Sequence, residues 1–240
     1  MKKSDQRNFY KKNGYIIIKN FYPKTLINDC KKNIEVADQF KFKRLLHKND
    51  YAYEKNKLKY LKMPELMSPK IYELINNKLL DLVCNLIEDE VSVRGIELHQ
   101  KISGTDFTPP HQDNFYFCLK NSKALTAYVP LNRQDFKNGG LHVYPKSHKN
   151  NYEHFFSNTV GFSSGIKIND IIEKKLSYSL SVGDLSIHHC NIIHGAPKNS
   201  SKSSRISIAI RFIALNEKID QKRKERYINF LEKSKRYSGV

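Results

Sequence analysis

Two periodicities divide the chain. Up to about residue 90 apolar residues recur every third or fourth position, and beyond it they alternate with polar ones. Tyr15-Ile16-Ile17-Ile18, after Gly14, is a short β-prone run. Leu26, Ile27, Cys30, Ile34 and Ala37 place a helix from Pro23 to Phe40, and Ile71, Leu74, Ile75, Leu79, Leu82, Val83 and Leu86 stripe a second one after Ser68-Pro69. Between them, Lys41 to Met63 is rich in Lys, Asn and Tyr and is expected to be a loop, a candidate lid. Strands are expected over Val91–Ile102, around His111, and over Ala124–Leu131, Leu141–Tyr144, Tyr178–Val182, Leu185–His189 and Ile206–Leu215. Lys149 to Lys175 is an irregular insertion, the second candidate for the substrate entrance. Two helices ahead of many short strands predict a mainly β fold with flanking α-helices, a double-stranded β-helix (jelly roll, cupin-like). A single domain over 1–240 is expected, with a helical part to about 90, a jelly-roll core over about 91–215 and a C-terminal helix over about 216–236.

The segment after Pro109-Pro110 carries His111-Gln112-Asp113. In an extended chain residues i and i+2 share a face, so His111 and Asp113 can converge on one point. A neutral nitrogen and an anionic oxygen suit a divalent transition metal, but two donors do not close a site. A second His from elsewhere completes a 2-His-1-carboxylate set and leaves three positions open on Fe(II). Taken alone, His-x-Asp is a common tripeptide, and its bland reading is polar surface beside a turn.

Charge and composition remove other classes. The net charge of +18 is mostly Lys spread through the chain, with no DNA- or RNA-binding motif, so nucleic acid is not the expected partner. The densest basic run, Lys218 to Arg236, has Ile219, Tyr227, Phe230 and Leu231 interleaved, as a solvated helix would. A basic surface still favours an anionic small-molecule substrate. No apolar run approaches membrane-spanning length and no signal-peptide pattern opens the chain, so a cytoplasmic protein is expected. Cys30, Cys84, Cys118 and Cys190 lack C-x-x-C spacing and are expected to be free thiols.

The segment Ile187-His188-His189-Cys190-Asn191-Ile192-Ile193-His194-Gly195 supplies the missing donor in His194, and eleven residues further on Arg205 opens an apolar strand. A guanidinium among inward apolar residues is costly without an anion, and a dicarboxylate cosubstrate would be that anion.

With these residues in place the chain resembles the phytanoyl-CoA dioxygenase-like branch of the Fe(II)/2-oxoglutarate-dependent oxygenases, from about Val91 to Phe212. That family's pattern is His-x-Asp, a distal His-Gly, and Arg about eleven residues later, matched by His111, Asp113, His194-Gly195 and Arg205. Its Asn-Gly-(Gly/Ala)-Leu-x-Val-x-Pro-Gly-Ser-His segment is matched by Asn138 to His148, with Lys146 in place of the usual Gly, and its later Asn-Ser by Asn199-Ser200. The resemblance implies that His111, Asp113 and His194 bind Fe(II) and that Arg205 holds the far carboxylate of 2-oxoglutarate. It also implies that Gln100 and Thr126 line the cosubstrate pocket, and that O2 is consumed as a substrate C–H is hydroxylated with release of succinate and CO2. Tyr128 stands where the family usually has Trp, and Ala196 where it often has Ser. Asp113 argues against halogenation, which needs a small residue there. His142, His148, His188 and His189 are expected to be structural, with at most one of the adjacent pair His188-His189 facing the pocket. The rival reading is a non-redox, cupin-like metal-binding or sensor protein, for which Arg205 has no use.

Overall fold

The structure, a computed structural model, describes residues 2–36, 46–47, 50–159 and 162–237. Its N-terminal part contains α1 (Lys3–Asn13), β1 (Tyr15–Ile18), α2 (Lys24–Val36), β2 (Tyr51–Glu54), β3 (Lys57–Lys62) and α3 (Asn77–Ile87). The central part contains β4 (Val91–Lys101), β5 (Thr108–His111), the single turn α4 (Asn114–Phe117), β6 (Ala124–Pro130) and β7 (His142–Val143). There follow β8 (Phe155–Thr159), β9 (Phe162–Gly165), β10 (Leu176–Ser177), β11 (Leu185–His189), β12 (His194–Ala196), β13 (Arg205–Ala214) and α5 (Gln221–Tyr237).

A seven-stranded sheet in the order β1-β11-β6-β13-β4-β3-β2 faces a four-stranded sheet, β10-β7-β12-β5, and β8-β9 form a separate hairpin. All pairings are antiparallel, as in the jelly roll expected from the strand pattern.

Strand β13 shows how the sequence assigns the two faces of the large sheet. Ile206, Ile208, Ile210 and Phe212 form one alternate set, buried with Leu98 of β4, Leu125, Ala127 and Val129 of β6, and Leu79, Val83 and Leu86 of α3. Each such side chain contributes roughly 1.5–3 kcal/mol by leaving water, so a one-residue slip of this strand would be expensive. The other set, Arg205, Ser207, Ala209 and Arg211, is mostly polar and turns toward the smaller sheet. The polar face of the large sheet is therefore the wall of a cleft.

Several local expectations need correction. The stretch before Gly14 forms α1, whose amphipathic signal is weak because only Tyr10 is buried. Lys41 to Met63 was expected to be a loop. Its first part lies largely outside the described residues, and the rest is the β2–β3 hairpin, which adds two strands to the sheet edge. Its turn, Lys55-Asn56, has φ of 51° and 57°, the left-handed pair that a two-residue hairpin loop requires. Within Lys149–Lys175 the β8–β9 hairpin replaces part of the irregular insertion. The helix after Ser68-Pro69 is split: a 3-10 stretch runs from Pro69 to Leu74, and α3 starts anew where the Asn76 side chain accepts the Leu79 N–H at 3.0 Å. The strand expected at Tyr178–Val182 is shifted to β10, leaving Leu180 in an isolated bridge with Gln134.

Candidate metal and cosubstrate site

His111 and His194 are direct cross-strand partners on β5 and β12. Their ring centroids lie 4.3 Å apart. Gly195 permits the close pairing, since a Cβ there would sit 2.9 Å from the Thr108 carbonyl oxygen. Asp113 arrives by a different route from the one its spacing suggests. The strand ends at His111, and Asp113 (φ −58°, ψ −34°) begins the helical turn α4. The turn, rather than i,i+2 alternation, aims the carboxylate. Its own backbone oxygen accepts from the N–H groups of Tyr116 and Phe117, and its side chain caps nothing. The turn is anchored by Asn114, whose Oδ1 accepts the Leu119 N–H at 2.8 Å and whose Nδ2 donates to Ser122 Oγ at 3.0 Å.

The three donors converge. Asp113 Oδ1 is 3.7 Å from His111 Nε2 and 3.7 Å from His194 Nε2, and the donor atoms of the trio all lie within 4.8 Å of one another. Both imidazoles are oriented from behind: His111 Nδ1 donates to the Pro109 carbonyl at 2.9 Å and His194 Nδ1 to the Ile192 carbonyl at 3.1 Å. That tautomer leaves both Nε2 lone pairs facing the carboxylate, the arrangement in which histidines ligate metals. Burial holds both imidazoles below the usual histidine range and hence neutral. Burial works against ionisation of Asp113, but the polar and charged groups around it, the His188 ring and the Arg211 guanidinium among them, outweigh it and keep the carboxyl well below its usual range. Two neutral imidazoles and one carboxylate on adjoining elements fit Fe(II) and leave positions for a chelating cosubstrate and O2. Thr126 lines the cleft, as expected, but its hydroxyl donates to Asp113 Oδ2 at 2.9 Å, so it orients the carboxylate.

Arg205 lies in the same cleft and is only 5% exposed. Its Nε donates to the Gly139 carbonyl at 3.0 Å and its Nη1 to Ser207 Oγ at 3.1 Å, with the guanidinium 5.9 Å from the Tyr128 ring centre. Among the described residues no carboxylate pairs with it. Directly across the ladder stands Lys101, whose ammonium has Thr108 Oγ1 at 3.2 Å. Burial, then the neighbouring charges of Arg205 and Lys59, push the Lys101 pKa down to about 7. The cleft thus has a cationic end beside the metal donors, where no carboxylate pairs with Arg205 or Lys101 among the described residues.

Gln100 borders the cleft, but it pairs with Ile206 and falls in the alternate set with Leu98, on the helix-facing side. From β4 it is His99 and Lys101 that share the face of Arg205. The alternation Ile96, Leu98 against Glu97, His99, Lys101 carried that signal in the sequence. His188, expected to be structural, faces the cleft at 2% exposure, while His189 points the other way toward Tyr10 and His148. Arg211 reaches the cleft too, in an ion pair with Glu97 that Tyr60 Oη also approaches at 2.8 Å. Both proposed entrance segments contribute: Tyr60 from β3, and Phe162 from β9, whose ring centre lies 5.1 Å from that of His111.

The turns of the Asn138–His148 segment support this geometry. Gly139 (φ +78°) packs so tightly that a Cβ would meet Lys101 Cδ at 2.5 Å. Lys146, where the pattern usually has Gly, adopts φ 74° nonetheless. The next residue, Ser147, accepts the Ile193 N–H at 2.8 Å and so ties this turn to the start of β12.

A jelly roll holding two histidines, one aspartate and a buried arginine in one cleft is the architecture of the 2-oxoglutarate-dependent non-haem iron oxygenases. The chain belongs to the phytanoyl-CoA dioxygenase (PhyH) family, whose profile matches residues 10–207. It is 22% identical to the peroxisomal phytanoyl-CoA dioxygenase of Bos taurus, over 88% of this chain and 68% of that protein. It is 26% identical to a probable alpha-ketoglutarate-dependent hypophosphite dioxygenase of Stutzerimonas stutzeri, over 88% and 78%. The crystal structure of EctD from S. alaskensis with bound Fe superposes with a TM-score of 0.75 at 17% identity, covering 90% of this chain and 78% of that one. Among the described residues no helix is long and apolar enough to cross a membrane.

Proposed function

We propose that the protein is an Fe(II)- and 2-oxoglutarate-dependent dioxygenase that hydroxylates an unactivated C–H of a small anionic metabolite, releasing succinate and CO2. The observation that carries this reading is one cleft that joins the His111–Asp113–His194 donor set to a buried guanidinium with no acid partner among the described residues. Bound iron with 2-oxoglutarate and O2 supplies the oxidant. The chain's own residues then have separate tasks. His111, Asp113 and His194 would hold the metal. Arg205, with Lys101 beside it, takes the far carboxylate of the diacid, the planar fork giving direction and the ammonium adding charge. Phe162 and Tyr60 narrow the mouth and exclude water from the reacting carbon.

The anionic character of the substrate rests on charge. Arg205 and Lys101 line the cleft without an ion pair among the described residues, Lys59 and Arg211 line it paired with Glu54 and Glu97, and Asp113 is committed to the metal. Desaturation or ring chemistry is compatible with the same scaffold, and a product analysis separates these outcomes. The test is succinate formation over a panel of small carboxylates, phosphonates and amino acids, with Fe(II) and 2-oxoglutarate present. Substrate-stimulated succinate with a product 16 mass units heavier supports the reading. Tight Fe(II) binding without 2-oxoglutarate binding or succinate would favour the metal-binding or sensor alternative.

A further inference from the structure

We propose that His188 is a positioning residue for the metal carboxylate: with Thr126 it clamps the outer oxygen of Asp113, so that only Oδ1 is presented to the metal. This rests on the functional reading above and names a residue that the 2-His-1-carboxylate pattern does not contain.

Three observations carry it. The two oxygens of Asp113 have separate surroundings: Oδ1 is the atom 3.7 Å from both His111 Nε2 and His194 Nε2, whereas Oδ2 accepts the Thr126 hydroxyl at 2.9 Å and lies 3.7 Å from His188 Nε2. His188 is 2% exposed, and neither ring nitrogen has a hydrogen-bond partner among the described residues. A buried imidazole with both nitrogens unsatisfied is costly, and Asp113 Oδ2, 3.7 Å from Nε2, is the acceptor that faces it. Finally, the register makes the arrangement a property of the sheet. His188 of β11 is the cross-strand partner of Thr126 of β6, so the two donors stand side by side on the same face.

His188 is not a fourth ligand on this geometry. The donor atoms that all lie within 4.8 Å of one another are those of His111, Asp113 and His194, and His188 meets the trio at Asp113 Oδ2 rather than Oδ1. The consequence is chemical. An aspartate free at both oxygens can chelate a metal with both and occupy a position that a bidentate cosubstrate or O2 needs. Two donors on Oδ2 oppose that swing and favour single-oxygen ligation. His188 and His194 also pack at 4.4 Å between ring centres, so the ring that steadies the carboxylate also borders the distal ligand.

The test uses the full chain under anaerobic conditions, with Co(II) as a coloured probe of the site and, separately, Fe(II) with 2-oxoglutarate read through its visible charge-transfer band. Wild type is compared with His188→Phe, which keeps a flat ring but no donor, with His188→Gln, which keeps a donor, and with Thr126→Val. His188→Phe should weaken Co(II) binding by about tenfold or more, as loss of an outer partner does at metal sites, and should change the Co(II) absorption envelope through a different coordination number. His188→Gln should restore the wild-type envelope and most of the affinity. Thr126→Val should move both readouts in the same direction as His188→Phe. Wild-type Co(II) affinity and spectrum in His188→Phe would overturn the clamp. So would a His188→Gln variant as impaired as His188→Phe, because packing rather than donation would then be at stake. If His188→Phe does not fold, His188→Gln decides by itself: a wild-type envelope upholds the clamp, and an altered one removes it. If wild type binds neither Co(II) nor 2-oxoglutarate with Fe(II), the functional reading fails first, and the clamp with it.

Discussion

Lys101 and Arg205 stand opposite each other across the β4–β13 ladder, two buried cations with no ion pair to either among the described residues. Two cations so placed repel each other, and the lysine yields, its pKa falling to about 7 under burial, Arg205 and Lys59, with Glu54 and Asp106 only partly compensating. A diacid restores the charged form and raises that pKa. Below about pH 7 Lys101 is protonated with and without ligand, so 2-oxoglutarate affinity should be flat. Above it, binding takes up a proton, and Kd should rise by up to about tenfold per pH unit until the pKa of the complex is reached. Isothermal titration across pH 6–9 in two buffers of different ionisation enthalpy measures both the slope and the proton uptake. Lys101→Met should remove both, and a wild-type Kd that is flat with pH would remove Lys101 from the cosubstrate site.

Arg205 should decide the cosubstrate. A hydrogen bond to a charged group contributes on the order of 1.5–3 kcal/mol, so Arg205→Ala should weaken 2-oxoglutarate by at least roughly tenfold, at about 1.4 kcal/mol per decade. Arg205→Lys keeps the charge without the fork and should fall between. Arg211 is six residues along the same strand face and already paired with Glu97, so Arg211→Ala should leave the 2-oxoglutarate requirement near wild type. Metal binding should persist in Arg205→Ala. The reverse pattern would mean that the diacid lies at the other end of the cleft.

The iron donors are separable from the cosubstrate end. His111→Ala should lose the charge-transfer band that anaerobic Fe(II) and 2-oxoglutarate give together, and Asp113→Gly should abolish turnover. A band of full strength in His111→Ala would break the assignment of the metal site.

Gly139 tests the packing behind Arg205. Gly139→Ala places a methyl group 2.5 Å from Lys101 Cδ at a backbone φ of +78°. The strain should cost about 1–3 kcal/mol and lower Tm by roughly 3–10 °C. The Gly139 carbonyl that receives Arg205 Nε should shift with it, so 2-oxoglutarate binding should weaken as well. Unchanged Tm and affinity together would show that the turn relaxes freely.

Some of this protein is written in its local pattern. The alternation in β13 and β11 set which side chains face the helices, because a strand's period of two is fixed by its backbone. That His111, Asp113, His194 and Arg205 are candidates for one site is legible in residue type and spacing, since a metal and a diacid each demand particular donors, and the fold brings the four into one cleft. Other features depended on what the chain meets in space. The polar stretch at Lys57–Lys62 became a strand only because β4 offered an open edge to pair with. Asp113 is aimed by a helical turn anchored through Asn114 to Ser122, a contact that no spacing rule contains. Gln100 and Lys101 differ by one residue, and it is the pairing of Lys101 with Arg205 that decides which of them shares the face of Arg205. His188 and His189 are equivalent in sequence. Only the register of β11 against β6 turned one toward Asp113 and the other toward Tyr10, because neighbouring residues of a strand must leave its opposite faces.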